Sequence, residues 1–217
     1  MGVIGDQIAY FKNQLPAGVK LVAVSKFKPV EAIMEAYEAG QRVFGENRPL
    51  EFQNKARQLP ADIEWHFIGH LQTNKVKNVV PYAALIHSID SEHLLKAVND
   101  QAAKMGKVQD ILLEVFVATE MTKHGLSREE AVDLAARIAD YPAVRLRGVM
   151  AMATFTDDMD QVRREFENAA SICAEVAATA SIENPELSMG MTDDYPLAVA
   201  CGSTMVRIGT AIFGARY

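Results

Sequence analysis

A lysine closes the first apolar run of the chain, Leu21-Val22-Ala23-Val24-Ser25-Lys26, and two readings of that amine are open. In an extended strand Val22, Val24 and Lys26 share one face. Walled in by apolar groups, the ammonium loses hydration, its pKa falls, and it becomes a nucleophile that condenses with aldehydes. Alternatively, its flexible stem carries the charge out to solvent. A second chemistry is suggested near the C-terminus by Arg207, Gly209 and Thr210, with Thr192 upstream. Gly209 has no side chain to keep an oxyanion from the backbone, and Thr210 offers an N–H and a hydroxyl at the start of a short helical segment, where the dipole favours negative charge. The alternative is structural: Thr192, Asp193 and Asp194 cap a helix entered at Pro196, and Gly209 eases tight packing. Arg207 is permanently charged and shares a face with Met205 and Gly209, so it needs a partner; an ion pair with Glu114 or Glu46 is the structural option.

These groups act together only if the fold brings them together. Short β-branched runs alternate with amphipathic helices along the whole chain, and no Pro/Gly/Ser-rich linker divides it, which is the pattern of parallel α/β folds. A leading helix near Ile4 to Leu15 is followed by strands expected at 21–26, 43–46, 64–69, 85–90, 111–117, 145–152, 187–191 and 204–209. Helices are expected at Val30–Ala39, Pro49–Gln58, Ser91–Met105, Ser127–Ala139, Met159–Thr179 and Pro196–Ala200. Gly40 suits a helix C-terminus, Ser91 and Ser127 suit N-caps, and Ser127-Arg128-Glu129-Glu130 completes a capping box. Eight units in 217 residues predict one α/β domain over 1–217, a (β/α)8 TIM-type barrel with an N-terminal helix, in preference to an open doubly wound sheet.

In such barrels the reacting groups gather at the C-terminal ends of the strands, with phosphate held after strands seven and eight. Those ends carry Lys26, Gly45-Glu46-Asn47, His66 to His70, Ser88-Ile89-Asp90, Thr119 to Gly125, Met150 to Thr154, Met191-Thr192-Asp193 and Arg207 to Thr210. His66 and His70 are four apart on a strand and turn, a spacing that does not bring ring nitrogens together, so no metal is expected. No phosphate loop, dinucleotide fingerprint or zinc helix is present.

Composition narrows the partners. A formal net charge of −6 with 23% charged residues leaves no basic stripe to neutralise nucleic-acid phosphates or an anionic membrane. No apolar run has the length of a span, and the N-terminus lacks the pattern of a signal peptide, so a cytoplasmic protein is expected. Cys173 and Cys201 form no metal-spaced pair and are expected as reduced, packed thiols.

Six blocks carry a family resemblance: Ala23-Val24-Ser25-Lys26-Phe27-Lys28-Pro29; Phe44-Gly45-Glu46-Asn47; Trp65 through Lys75 (WHFIGHLQTNK); His87-Ser88-Ile89-Asp90; Leu187 through Asp194 (LSMGMTDD); and Gly202 through Gly214 (GSTMVRIGTAIFG). In this order they resemble the pyridoxal phosphate homeostasis proteins over nearly the whole chain. The resemblance implies a barrel similar to the N-terminal domain of alanine racemase, with pyridoxal 5′-phosphate at its mouth. It implies Lys26 as the Schiff-base lysine, Arg207 facing the pyridine nitrogen, Met191, Thr192, Gly209 and Thr210 as the phosphate cradle, and Asn47 beside the ring. His66 reads as a hydrogen-bonded core histidine in preference to an acid/base. Lys123 resembles a basic position near the cofactor in related barrels; a solvated loop lysine fits equally. The chain departs from the pattern twice: Thr192 stands where many relatives have serine, and Arg48-Pro49 follows Asn47 where tyrosine is frequent.

A guanidinium cannot give up its proton, so Arg207 would leave the pyridine nitrogen unprotonated and weaken the ring as an electron sink. Racemisation also needs a base on each face of the substrate. Related racemases take the second, a tyrosine, from an additional C-terminal domain, which a sequence ending at Tyr217 is expected to lack. The expected function is therefore cofactor binding and vitamin B6 homeostasis with no catalytic residues, by a monomer that hands the cofactor to apo-enzymes. The rivals are an amino-acid racemase and a cofactor-free sugar-phosphate isomerase.

Overall fold

The structure is a computed structural model and describes residues 2–118 and 125–215. Eight parallel strands among the described residues pair in sequence order, and the last pairs with the first to close the barrel. The order is α1 (Val3–Gln14), β1 (Lys20–Val24), α2 (Val30–Glu38), β2 (Val43–Glu46), α3 (Pro49–Gln58), β3 (Glu64–Phe67), α4 (Val76–Val79), β4 (Leu85–Ile89) and α5 (Glu92–Lys104). Then come β5 (Gln109–Val115), α6 (Arg128–Ala136), β6 (Val144–Ala151), α7 (Met159–Ala180), β7 (Glu186–Ser188), α8 (Tyr195–Ala200), β8 (Met205–Ile208) and α9 (Thr210–Phe213). The expected TIM-type barrel with its leading helix is the fold observed.

Strand alternation sorts the apolar residues into two layers. Val22, Leu85, Leu112, Met150 and Met205 point inward and fill the barrel, while Ala23, Phe44, Ile86, Ile111 and Val206 point outward into the larger core beneath the helices. The helices start where their caps dictate. Ser91 accepts from the Leu94 N–H ahead of α5, and Ser127 and Glu130 form the full capping box ahead of α6. On α5 the buried residues Leu94, Leu95, Val98 and Ala102 make the stripe that meets the strands.

Several boundaries differ from expectation. β1 stops at Val24, so Lys26 lies beyond the strand in a turn. β7 ends at Ser188, although Met189 and Gly190 still exchange backbone hydrogen bonds with Met205 and Arg207. A 3-10 turn over Thr73–Lys75 leading into α4 fills the β3–β4 connection, where no helix was anticipated. The helix expected over Ser127–Ala139 breaks after Ala136 into a 3-10 turn, Ile138–Asp140.

Candidate functional site at the barrel mouth

Beyond β1 the chain reverses at Ser25–Lys28, where the Lys28 N–H donates to the Ser25 carbonyl at 3.0 Å. Phe27 takes the left-handed region with φ 64°, which costs a side-chain-bearing residue roughly 1–2 kcal/mol and persists only where the surroundings hold it. They hold it from behind. Lys55 on α3, 6% exposed, donates to the Ser25 carbonyl at 2.8 Å, to Glu46 Oε1 at 2.7 Å and to Glu51 Oε1 at 2.7 Å. The Ser25 hydroxyl donates to Glu46 Oε1 at 2.6 Å, and the Phe27 N–H donates to Glu51 Oε1 at 2.6 Å. Both residues flanking Lys26 are thus anchored to one buried ion cluster, while the Lys26 side chain continues the Val22–Val24 face into the mouth.

Glu46 takes the outward face that it shares with Phe44, which excludes the alternative pairing with Arg207: it belongs to Lys55. Burial raises its pKa, with Lys55 and Ser25 opposing.

Arg207 projects inward from β8 and is 4% exposed. Its guanidinium donates to the Ser188 carbonyl at 2.9 Å, the Ser188 hydroxyl at 2.7 Å and the Ala151 carbonyl at 3.1 Å. Among the described residues no carboxylate lies within ion-pair distance of it, so the alternative pairing with Glu114 is not formed either. Burial lowers its pKa to about 10, with Asp194 and Glu114 acting in the opposite sense, and it remains charged at neutral pH.

Glu114, 5% exposed and inward-facing next to Leu112 on β5, is pushed from 4.5 up to about 7, first by burial and then by Asp90, against the pull of Arg207. A carboxyl with a raised folded-state pKa binds more protons folded than unfolded, so its contribution is complete below the ordinary carboxylate range and is lost as pH rises through about 7. At 1.4 kcal/mol per unit the loss is about 3 kcal/mol. Urea midpoints measured from pH 4 to pH 8 are expected to carry this falling contribution, and Glu114→Gln is expected to flatten it; an unchanged slope in the variant would assign it elsewhere.

All seven residues singled out at the strand ends, Lys26, Asn47, Met191, Thr192, Arg207, Gly209 and Thr210, line one cavity of about 610 Å³. Asn47 Oδ1 is buried without a hydrogen-bond partner among the described residues. Gly209 lies so close to β1 that a Cβ would sit 3.3 Å from both the Cβ and the carbonyl oxygen of Val24. The Met191 N–H is already engaged, donating to Asp194 Oδ1 at 2.6 Å. Asp194 therefore folds the loop onto itself and makes no side-chain cap on α8, contrary to the structural alternative for this loop. Met152, Phe155 and Asp193 also reach the cavity. His66 is wholly buried and hydrogen-bonded, a core residue below the mouth. Lys123 lies outside the described residues.

Sequence reasoning did not find the Lys55–Glu46–Glu51 cluster. Its signal was Lys55 three residues after Phe52, on the face that α3 buries.

The closed eight-stranded parallel barrel is the fold of the alanine racemase N-terminal domain, and the model of that domain family matches residues 3–217. At under 25% identity the likeness extends to solved racemases as fold alone: the alanine racemase of E. faecalis superposes with a TM-score of 0.77 at 16% identity, over 99% of this chain and 58% of that one. The chain belongs to the pyridoxal phosphate homeostasis protein family. It is 42% identical over 204 residues to the pyridoxal phosphate homeostasis protein of Pasteurella multocida, covering 92% of this chain and 88% of that protein, and 41% identical over 207 residues to that of Escherichia coli K12, covering 93% and 87%. The structure of PipY from Synechococcus elongatus PCC7942 with pyridoxal phosphate bound matches with a TM-score of 0.90 at 37% identity, over 97% of this chain and all of that one.

Proposed function

We propose that this protein binds pyridoxal 5′-phosphate at the barrel mouth, with the Lys26 amine condensed on its aldehyde, and serves intracellular vitamin B6 homeostasis as a carrier. One observation carries this: a lysine, a buried guanidinium, a glycine and two threonines line the same cavity. The residues present suit the group. Asn47 Oδ1 is a buried acceptor without a partner among the described residues, and Gly209 presents backbone without a side chain at the cavity wall. The relatives named as homeostasis proteins, and PipY with its bound cofactor, support the same reading.

The cofactor supplies an aldehyde that condenses with primary amines and a ring that withdraws electrons. The chain's residues would divide the rest. Lys26 tethers, Thr192, Gly209 and Thr210 receive the phosphate, Asn47 lines the ring, and Arg207 faces the pyridine nitrogen without surrendering a proton. Met191 gives its amide to the phosphate only if Asp194 releases it. An unprotonated ring stabilises a carbanion poorly, which favours a carrier over a catalyst. The acceptors proposed are apo-enzymes that use the same cofactor, the protein acting as a cytoplasmic monomer. Among the described residues no helix is long and apolar enough to cross a membrane.

The test is titration with pyridoxal phosphate followed by borohydride reduction and peptide mapping. The expected result is a visible band and a single modified lysine at Lys26; modification at another lysine, or no uptake at saturating cofactor, overturns the reading. Exchange of an amino acid's α-proton with solvent deuterium at a catalytic rate would move the protein to the racemase class.

A further inference from the structure

A file of hydrogen bonds crosses the inside of the barrel from mouth to floor. Arg207 donates to the Ser188 hydroxyl at 2.7 Å. Ser188 Oγ lies 3.0 Å from His87 Nδ1, His87 Nε2 lies 3.0 Å from His66 Nδ1, and His66 Nε2 lies 3.0 Å from Glu64 Oε1. Ser188, His87 and His66 are wholly buried. Glu64 opens the N-terminal end of β3 with its side chain 43% exposed, next to Lys20 at 3.5 Å.

The chemistry of the two ends leaves the file one direction. A guanidinium only donates and a carboxylate only accepts. Glu64 must therefore receive the His66 Nε2–H, so in a neutral ring His66 Nδ1 accepts. It receives the His87 Nε2–H, so His87 Nδ1 accepts, and that proton comes from the Ser188 hydroxyl, whose oxygen accepts from Arg207. Every link then points from the buried cation to the carboxylate.

The surroundings keep both rings neutral. Burial is the main effect lowering each histidine; Glu64 and Glu186 oppose it at His66, while Lys20 acts with it there, and His66, Arg207 and Lys20 add to it at His87. Glu64 is held down to about 2, chiefly by the His66 N–H, with Lys20 assisting.

We propose that Ser188, His87, His66 and Glu64 are positioning residues, a one-way hydrogen-bond relay that fixes the Arg207 guanidinium at the mouth and ties its charge to a carboxylate at the opposite, solvent-facing end of the barrel. The part that concerns the cofactor rests on the proposed function, in which Arg207 faces the pyridine nitrogen. Protonation of His66 at Nδ1, its one ring lone pair, would make both its nitrogens donors. His87 must then adopt the Nδ1–H form and Ser188 must turn its proton away, so the file reverses up to the arginine's own partner.

The experiment is nitrogen-15 NMR of the imidazole and guanidinium groups in the cofactor-free protein. His66 and His87 are each expected as a single neutral Nε2–H tautomer at about pH 7. A mixture of tautomers, or an Nδ1–H form of either, overturns the relay. Ser188→Ala leaves the Glu64 end intact, so His87 is expected to keep its Nε2–H form while its Nδ1 resonance shifts through loss of the hydroxyl donor; an unmoved Nδ1 resonance would overturn the serine's place in the relay. Glu64→Gln, at the exposed end, keeps an acceptor for His66 and removes only the charge. It is expected to shift the Arg207 guanidinium resonances and, in the cofactor-loaded protein, the pH midpoint of the visible band, while Lys96→Gln on the outer surface shifts neither. Arg207 resonances unmoved by Glu64→Gln refute the coupling. Failure of the protein to take up pyridoxal phosphate refutes the proposed function instead, and the cofactor-free spectra still decide the relay.

Discussion

Lys26→Ala is expected to abolish borohydride-trappable attachment of pyridoxal phosphate and the visible band that accompanies it. Arg207 on β8 and the proposed phosphate-binding residues beyond β7 and β8 stay in place, so the variant should retain weak, non-covalent binding, at least tenfold looser, a loss of about 1.4 kcal/mol or more. Its folding is expected to be unaffected, because Lys26 sits beyond β1 and its backbone is anchored through both neighbours. Equilibrium dialysis against the cofactor, alongside reduction and mass spectrometry, checks both halves. Persistence of the trapped adduct in Lys26→Ala would place the reactive amine on another residue.

The second large effect lies behind the site. Lys55→Ala removes the only cation within ion-pair distance of Glu46 among the described residues, and the Glu46 side chain is wholly buried. Leaving one member of a buried pair uncompensated costs about 3–5 kcal/mol, a large share of the stability of an ordinary domain. The sign of its pH dependence follows from Glu46, whose carboxyl is already raised by burial and rises further without Lys55. The protonated acid is tolerated where the anion is not, so the penalty should shrink as pH falls and grow as pH rises through the folded-state value. Urea denaturation at about pH 5 and pH 8 would show the difference in midpoint. Lys55→Met, which keeps the stem and removes the charge, should share the loss. Since Lys55 also anchors the Ser25 carbonyl, both variants are expected to weaken cofactor attachment at temperatures where they remain folded; unimpaired attachment would show that the turn holds Lys26 without this cluster.

The barrel was legible because its determinants are local and repeated. Val22 and Val24 alternate with outward residues, Ser127 through Glu130 spell a capping box, and eight such units leave few ways to close a sheet. The mouth was legible for a geometric reason: once the strands are parallel, their C-terminal residues converge, and Lys26, Asn47, Thr192 and Arg207 meet although 181 positions separate the first from the last. Sequence pattern failed where a single residue departs from the rule of its element. Ser25 and Lys26 continue the alternation of β1, yet the chain turns there because Lys55 and Glu51 capture backbone groups that a strand would have used. A lysine on a helix reads as solvated, and only the outward direction of Glu46 reveals why this one is buried. The pairing of His66 with His87 depends on strand register, since His66 stands opposite Leu85 and reaches a residue two places further along β4. No spacing within one segment encodes that.

Closure of the barrel also bears on how the protein is made. β1 and β8 pair over four registers, from Lys20 with Met205 to Ala23 with Ile208, joining segments from nearly opposite ends of the chain. During synthesis β1 therefore waits for β8 to leave the ribosome before its second neighbour exists, with one row of peptide groups open to any other strand. In the proposed function the residue that would hold the cofactor follows β1, and the residues that would receive its phosphate follow β7 and β8. Nascent and truncated chains should thus be unable to capture the aldehyde securely, which confines loading to polypeptides that have completed folding.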